Sequence, residues 1–295
     1  MPLRFLLWTV ALLGFYNHVL GQDGPYIQMG LGIAVAPAMD VRGTDNDWST
    51  KCDRIINPDG LEVTDECDSA PAPTEWENAF GGGSGIGSGL ALGYRWGAFR
   101  IEGEYFHRST TYDERSDIGI FDAITLDKQD QEIELAIAGI DNLLAHNLFA
   151  NAYYDFALGP ALVSYAGAGV GMASRSLYYF TNWKRNDDPS RIRTFTDPDL
   201  NAKIAGSTTI GQARLTDRRI GYQLLVGAAY QIGDRAALDI KLRWMASGEF
   251  ESEKTEWDQL RSHDSTVGRG EPILYTITTD DTQFWGASLS LLYQF

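Results

Sequence analysis

From residue 22 onward, apolar and polar residues alternate in short bursts, and the bursts recur. The last is the clearest: Trp285, Ala287, Leu289, Leu291, Tyr293 and Phe295 share one parity, with Gly286, Ser288, Ser290 and Gln294 on the other. A period of two with one apolar face is a β-strand; only Phe284 and Leu292 break its polar side. The same logic gives Ile27–Val35, Leu90–Trp96, Phe99–Tyr105, Leu148–Phe156, Ile220–Ile232 and Leu238–Trp244. An eighth segment, Ala161–Ala173, is rich in Gly and Ala, and its faces are not assignable from pattern.

The connections set the architecture. Gly97-Ala98, Gly159-Pro160 and Gly233-Asp234 are tight hairpin turns. The other links, about 36–84, 108–146, 174–217 and 247–281, read as long loops, with a hint of helical period only in Ile133–Leu144. Short turns at one end and long loops at the other, with strands of about 10 residues, match a membrane barrel. Lipid tolerates no open sheet edge, so the strands must close. The expected fold is all-β: an eight-stranded antiparallel up-and-down transmembrane β-barrel with four long extracellular loops. Extra strands above the membrane, from segments such as Ile273–Thr279, fit the same pattern. Tyr94, Trp96, Tyr105, Tyr230, Trp244, Trp285, Tyr293 and Phe295 fall at predicted strand ends, where interfacial girdles belong.

Composition narrows the context. The N-terminus carries Arg4, an apolar stretch from Phe5 to Phe15 and small residues up to Gly21, so residues 1–21 read as a cleaved signal peptide and 22–295 as the barrel. Cys52 and Cys67 are the two cysteines; in an exported chain they are expected to form a disulfide stapling the first loop. A net charge of -16 argues against nucleic acid as a partner. Eleven acids against three bases between Asp40 and Glu77 make the first loop strongly acidic, and read as solvated surface. Asp45-Asn46-Asp47 lacks the spacing of a known Ca²⁺ loop, so no metal or other cofactor is expected.

The wording of two strands suggests a family. Asn151-Ala-Tyr-Tyr-Asp-Phe156, a Gly-Pro turn and Tyr165-Ala-Gly-Ala-Gly-Val-Gly171 resemble the opacity-protein and surface-antigen barrels, within the small outer-membrane barrels that include OmpA-like and OmpX-like proteins. The terminal Tyr293-Gln-Phe295 is similar to the signal read by the outer-membrane assembly machinery. The resemblance implies the outer membrane of a Gram-negative bacterium, periplasmic termini, and surroundings of outer-membrane lipid and lipopolysaccharide.

Candidate chemistry is sparse. Arg95, Arg100, Glu102, Glu104, Asp239, Lys241 and Arg243 lie on the parity opposite the apolar face and are expected to meet inside the barrel as a charge network. Buried opposite charges must pair, so a salt-bridged plug is the first reading and a gated ion or solute path the second. His107-Arg108-Ser109 places His and Ser on one strand face, the minimum for a lipid-modifying hydrolase, although His-x-Ser is a weak motif. Tyr178, Tyr179, Phe180 and Trp183 form an aromatic cluster, either a recognition patch or a strand continued above the membrane. The expected role is structural or adhesive, with host or environmental surface ligands and no catalysis; a small channel, or a lipid-modifying enzyme, is the alternative.

Overall fold

The computed structural model describes residues 23–45, 74–113, 119–120, 132–256, 258–261, 272 and 274–295. The signal segment, the Cys52–Cys67 pair and Asn46-Asp47 lie outside the described residues.

Eight long strands close a ring. They are β1 (Gly24–Ala36), β4 (Gly83–Trp96), β5 (Phe99–Thr111), β7 (Ile133–Ala157), β8 (Leu162–Arg185), β9 (Thr208–Gln231), β10 (Ala236–Glu251) and β13 (Leu274–Gln294). Each pairs antiparallel with its neighbour in that order, and β13 returns to β1 through a ladder from Tyr26↔Gln294 to Val35↔Trp285. The three short turns stand where expected; Gly97 takes a positive φ of 57°, and Asp23 accepts its amide hydrogen bond at 2.6 Å. No described helix is long and apolar enough to cross a membrane.

The outward face is the apolar one. Leu31, Ile33, Ile86, Leu92, Ile101, Leu148, Val170, Ile220, Leu224, Ile240 and Leu289 are all exposed, an arrangement that only a hydrocarbon surround makes favourable. Tyr94, Trp96, Tyr230, Tyr293 and Phe295 stand on this face at the turn end, with Tyr105 and Trp285 at the other.

The four loops are shorter than the alternation indicates, because the strands continue beyond the apolar band. β8 runs 24 residues, about 80 Å along its axis, where a membrane crossing needs only ~9–11. β7 begins at Ile133, so the segment with a hint of helical period is a strand. Two further strands, β2 (Met39–Asp45) and β3 (Thr74–Phe80), form a hairpin within the first connection; β2 adds to the outer end of β13 and β3 pairs the short β6 (Gly119–Ile120). The pairs β11 (Thr255–Glu256) and β12 (Asp258–Arg261) add to β13 and β9.

Glycines on the inner face make room for large cross-strand neighbours. Tyr26 faces Gly93, Tyr153 faces Gly167 and Tyr165 faces Gly227. At each glycine a Cβ would collide with the aromatic ring opposite. The Gly/Ala stretch of β8 therefore has a definite orientation: Val163, Tyr165 and Ala173 point inward, Val170 and Met172 outward.

Candidate functional site

The seven charged residues expected inside the barrel are all buried there, at 5% exposure or less. They divide into two tiers. Nearest the turn end, Asp155 lies between Arg100 Nε at 2.9 Å and Arg95 Nε at 3.3 Å. Above it, Lys241 Nζ sits 3.5 Å from Glu102 and 3.6 Å from Glu104, and Arg243 donates to Glu104. Asp239 has no ion pair among the described residues; Gln28 donates to it at 2.7 Å and the Tyr165 hydroxyl at 3.0 Å.

Neutral side chains complete the network. Glu102 accepts from Tyr26 at 3.0 Å, Tyr153 at 2.8 Å and Asn151 at 3.1 Å, and Gln223 donates to Glu104 and Asn151. The Arg100 guanidinium lies 4.7 Å from the Tyr153 ring and 4.6 Å from Tyr165. Such extensive pairing is what a group removed from water requires. Two buried members were not among the expected network residues: Asp155, and Arg108, which is buried against Phe284 at 4.2 Å. The signal was parity itself: every inward position on these strands was a candidate.

Above the charged tiers comes an apolar layer of Phe106, Phe149, Met245 and Phe284 with Ala34, Ala36 and Ala173. The cavity beneath, bounded by Gly30, Gly87, Glu104 and Ser290, has a volume of about 20 Å³, room for about one water. Next is Arg175, almost fully enclosed, which pairs with Asp217 and donates to Ser247, Thr282 and the carbonyls of Gly248 and Glu249. Burial alone would raise the Asp217 carboxyl, but the Glu251 amide and the Arg175 and Arg219 guanidiniums hold it below the usual carboxylate range. A larger apolar core then fills the extension, with Val41, Phe80, Ile140, Leu177, Tyr179, Leu215, Phe250 and Ile277 at its centre.

The aromatic cluster divides at this level. Tyr179 points inward into the upper core, its hydroxyl accepting from Asn78 at 2.6 Å, while Tyr178, Phe180 and Trp183 are half-buried. All four lie on β8, so they form a continued strand. The β8–β9 tip is ordered by a 3₁₀ turn at Pro189–Arg191 and a short helix, α1 (Pro198–Ile204), around buried Ile192, Phe195 and Ile204. Glu132 fastens it, accepting from the Arg193 amide at 2.8 Å and the Thr194 hydroxyl at 2.9 Å.

On the outer surface, His107 lies beside His146 across the β5–β7 ladder, with ring centres 4.7 Å apart, and the Tyr105 hydroxyl bonds His146 Nδ1 at 2.7 Å. No carboxylate reaches His107 among the described residues, so the His-x-Ser pair has no orienting acid. At the chain end, Tyr293 and Phe295 face lipid with ring centres 5.5 Å apart, and the Phe295 amide donates to Pro25 at 3.1 Å.

A closed, lipid-facing eight-stranded barrel with charged tiers in its lumen is an outer-membrane barrel of a Gram-negative bacterium. The family model of the Opacity family porin proteins matches residues 92–268, and the chain belongs to that family. Among solved structures it is similar to Neisserial surface protein A (12% identity, 92% of this chain and 97% of that chain, TM-score 0.39). It is also similar to OprG from Pseudomonas aeruginosa (10%, 94% and 100%, TM-score 0.40) and to the outer membrane protease OmpT from Escherichia coli (9%, 95% and 99%, TM-score 0.40). Likenesses at this level carry no argument about role. No curated protein sequence matches.

Proposed function

We propose that the protein is a closed surface-display barrel: a rigid, non-catalytic stalk that carries preordered tips above the outer membrane for contact with host or environmental ligands. The observation that carries this is the succession of layers in the lumen. A solute would have to break ion pairs, part the Phe106–Phe149–Met245–Phe284 layer and then cross an apolar core in the extension. Side chains fill the interior of an eight-stranded barrel readily. The same core stiffens strands that rise beyond the lipid, and the Glu132-fastened tip lowers the ordering cost of binding. A tip held by its own hydrogen bonds and a buried core is a recognition element; a gate would have to move. Tyr293 and Phe295 serve assembly in this reading.

Planar-bilayer recording of the full chain tests it. Wild type should show no conductance steps, and Glu102→Ala with Glu104→Ala should stay closed, because the apolar layer above remains. Regular single-channel steps from the wild type would overturn the closed-stalk reading in favour of a channel.

A further inference from the structure

We infer that the β5–β9 side of the barrel holds one lipid A moiety of lipopolysaccharide, its acyl chain in a wall groove and its phosphates on Arg218 and Arg214. This site lies on the outer wall and is independent of whether the lumen is closed. Two separate features converge there.

The first is shape. Along most of the lipid-facing belt the outward side chains are Leu, Ile, Val or aromatic, but β5, β7 and β8 present Gly103, Ala150, Ala152 and Ala168 side by side. The result is an open, largely apolar depression of about 910 Å³, walled by Leu92 on one side and Val170 on the other. A trough of this kind in the bilayer takes a hydrocarbon chain.

The second is charge. The register carries an outward row straight across the neighbouring strands: His107 pairs His146, His146 pairs Ser174, and Ser174 pairs Arg218. Arg218 is exposed and forms no ion pair among the described residues. Arg214, two pleat repeats farther out on the same face, is also exposed; it hydrogen-bonds Ser176 at 3.4 Å and lies 5.3 Å from the Tyr178 ring, again with no described acid. Between Ile220 and Arg214 the outward positions of β8 and β9 are Ser, Thr and Tyr, with no carboxylate. Two unpaired guanidiniums at the outer edge of the lipid belt, in a chain of net charge -16, are a phosphate-binding arrangement.

The two features are spaced for one molecule. From the Arg218 row to the Ala152–Ala168 row is six residues, about 20 Å along the strands, or roughly 15 Å of depth at the usual strand tilt, which is about half the hydrocarbon thickness. An outer-leaflet acyl chain anchored by its headgroup at Arg218 therefore ends in the groove. A phosphorylated, multiply acylated lipid satisfies both features at once, whereas a second barrel packed on the small residues would leave both arginines unused.

The test is titration of the detergent-folded full chain with lipid A, read as the rise in thermal midpoint. Dephosphorylated lipid A and phosphatidylglycerol serve as comparison ligands. Half-saturation for lipid A should be at least about tenfold lower than for either comparison ligand. Arg214→Ala with Arg218→Ala should raise it on the order of tenfold or more, the loss expected for charge-assisted hydrogen bonds. Ala152→Leu with Ala168→Leu, which fills the groove from the lipid side, should do the same while keeping the heat-dependent gel shift of a folded barrel. Wild-type affinity in either double variant would overturn the site, as would equal binding of dephosphorylated lipid A or phosphatidylglycerol. A doubling of mass in light scattering that Ala152→Leu abolishes would instead assign the groove to a second copy of the chain.

Discussion

Replacing Asp155 with Asn puts the ion-paired lumen to a quantitative test. The carboxylate has no exposed side-chain surface and lies between two guanidiniums, at 2.9 Å from Arg100 and 3.3 Å from Arg95. Asparagine keeps the shape and removes the charge, leaving two buried cations facing each other. They are not equally stranded. Arg100 retains the rings of Tyr153 and Tyr165 at 4.7 and 4.6 Å, worth up to about 2 kcal/mol where water is excluded. Arg95 has no other ion pair among the described residues, and its Nη1 has no hydrogen-bond partner. Breaking a buried pair costs about 3–5 kcal/mol, and the stacking on Arg100 places this case at about 3–4. The chain would be folded into lipid vesicles and unfolded with urea, followed by tryptophan fluorescence and by the gel shift. The urea midpoint should fall by the corresponding amount, and about 1 M NaCl should not restore it, because the pair is shielded from bulk ions. Adding Arg95→Met to Asp155→Asn should recover much of the loss by removing the stranded charge. A loss below ~1 kcal/mol, or a double variant less stable than the single, would refute the plug as an energetically coupled unit.

Gly167→Ala should destabilise the barrel by about 1–3 kcal/mol, since the new methyl meets the Tyr153 ring, whose hydroxyl donates to Glu102 at 2.8 Å. Gly159→Ala, at a turn with nothing within 4 Å, is the matched control, and equal urea midpoints for the two would contradict the cross-strand fit. Asp217→Asn should cost about 3 kcal/mol, at the low end for a buried pair because Arg175 keeps its bonds to Ser247, Thr282 and two carbonyls, and should open the extension to protease. Because the Asp217 carboxyl is held low in the folded state, its stabilisation is present above its unfolded value of about 3.9 and is lost as pH falls through the folded one. Protease resistance of wild type should therefore decline in acid while the Asn variant shows a flatter profile there; parallel profiles would remove Asp217 from the account.

The alternation reveals the membrane portion so clearly because lipid imposes a single rule on every strand: apolar outward. Ile33, Ile101, Leu148 and Ile240 obey it, and that was enough to place eight strands and three turns. The rule reverses where the strands leave the bilayer. On β8 the outward apolar positions end at Met172, and the next apolar ones, Leu177 and Tyr179, point inward. On β9 the change falls between Leu215, inward, and Ile220, outward; on β10 it falls between Trp244 and Phe250, where Gly248 adopts a φ of 69° and the register slips. A strand that swaps its apolar face midway looks, to any search for one continuous parity, like a strand that stops. This reversal is why the extension read as loop and why Tyr178–Trp183 could be read either as a recognition patch or as a continued strand. The interior charges were legible because they share the inward parity within the membrane, where no apolar core competes with them. The groove under Arg218 was not legible, because Gly103, Ala150, Ala152 and Ala168 are individually ordinary barrel residues. Only the register, which sets three strands side by side, turns their small size into a concavity. Phase reversal is therefore itself a sequence signal. In any barrel of this kind, the point where apolar parity flips should mark the outer membrane surface, and here it lies within about one residue pair of the Ser174–Arg218 row.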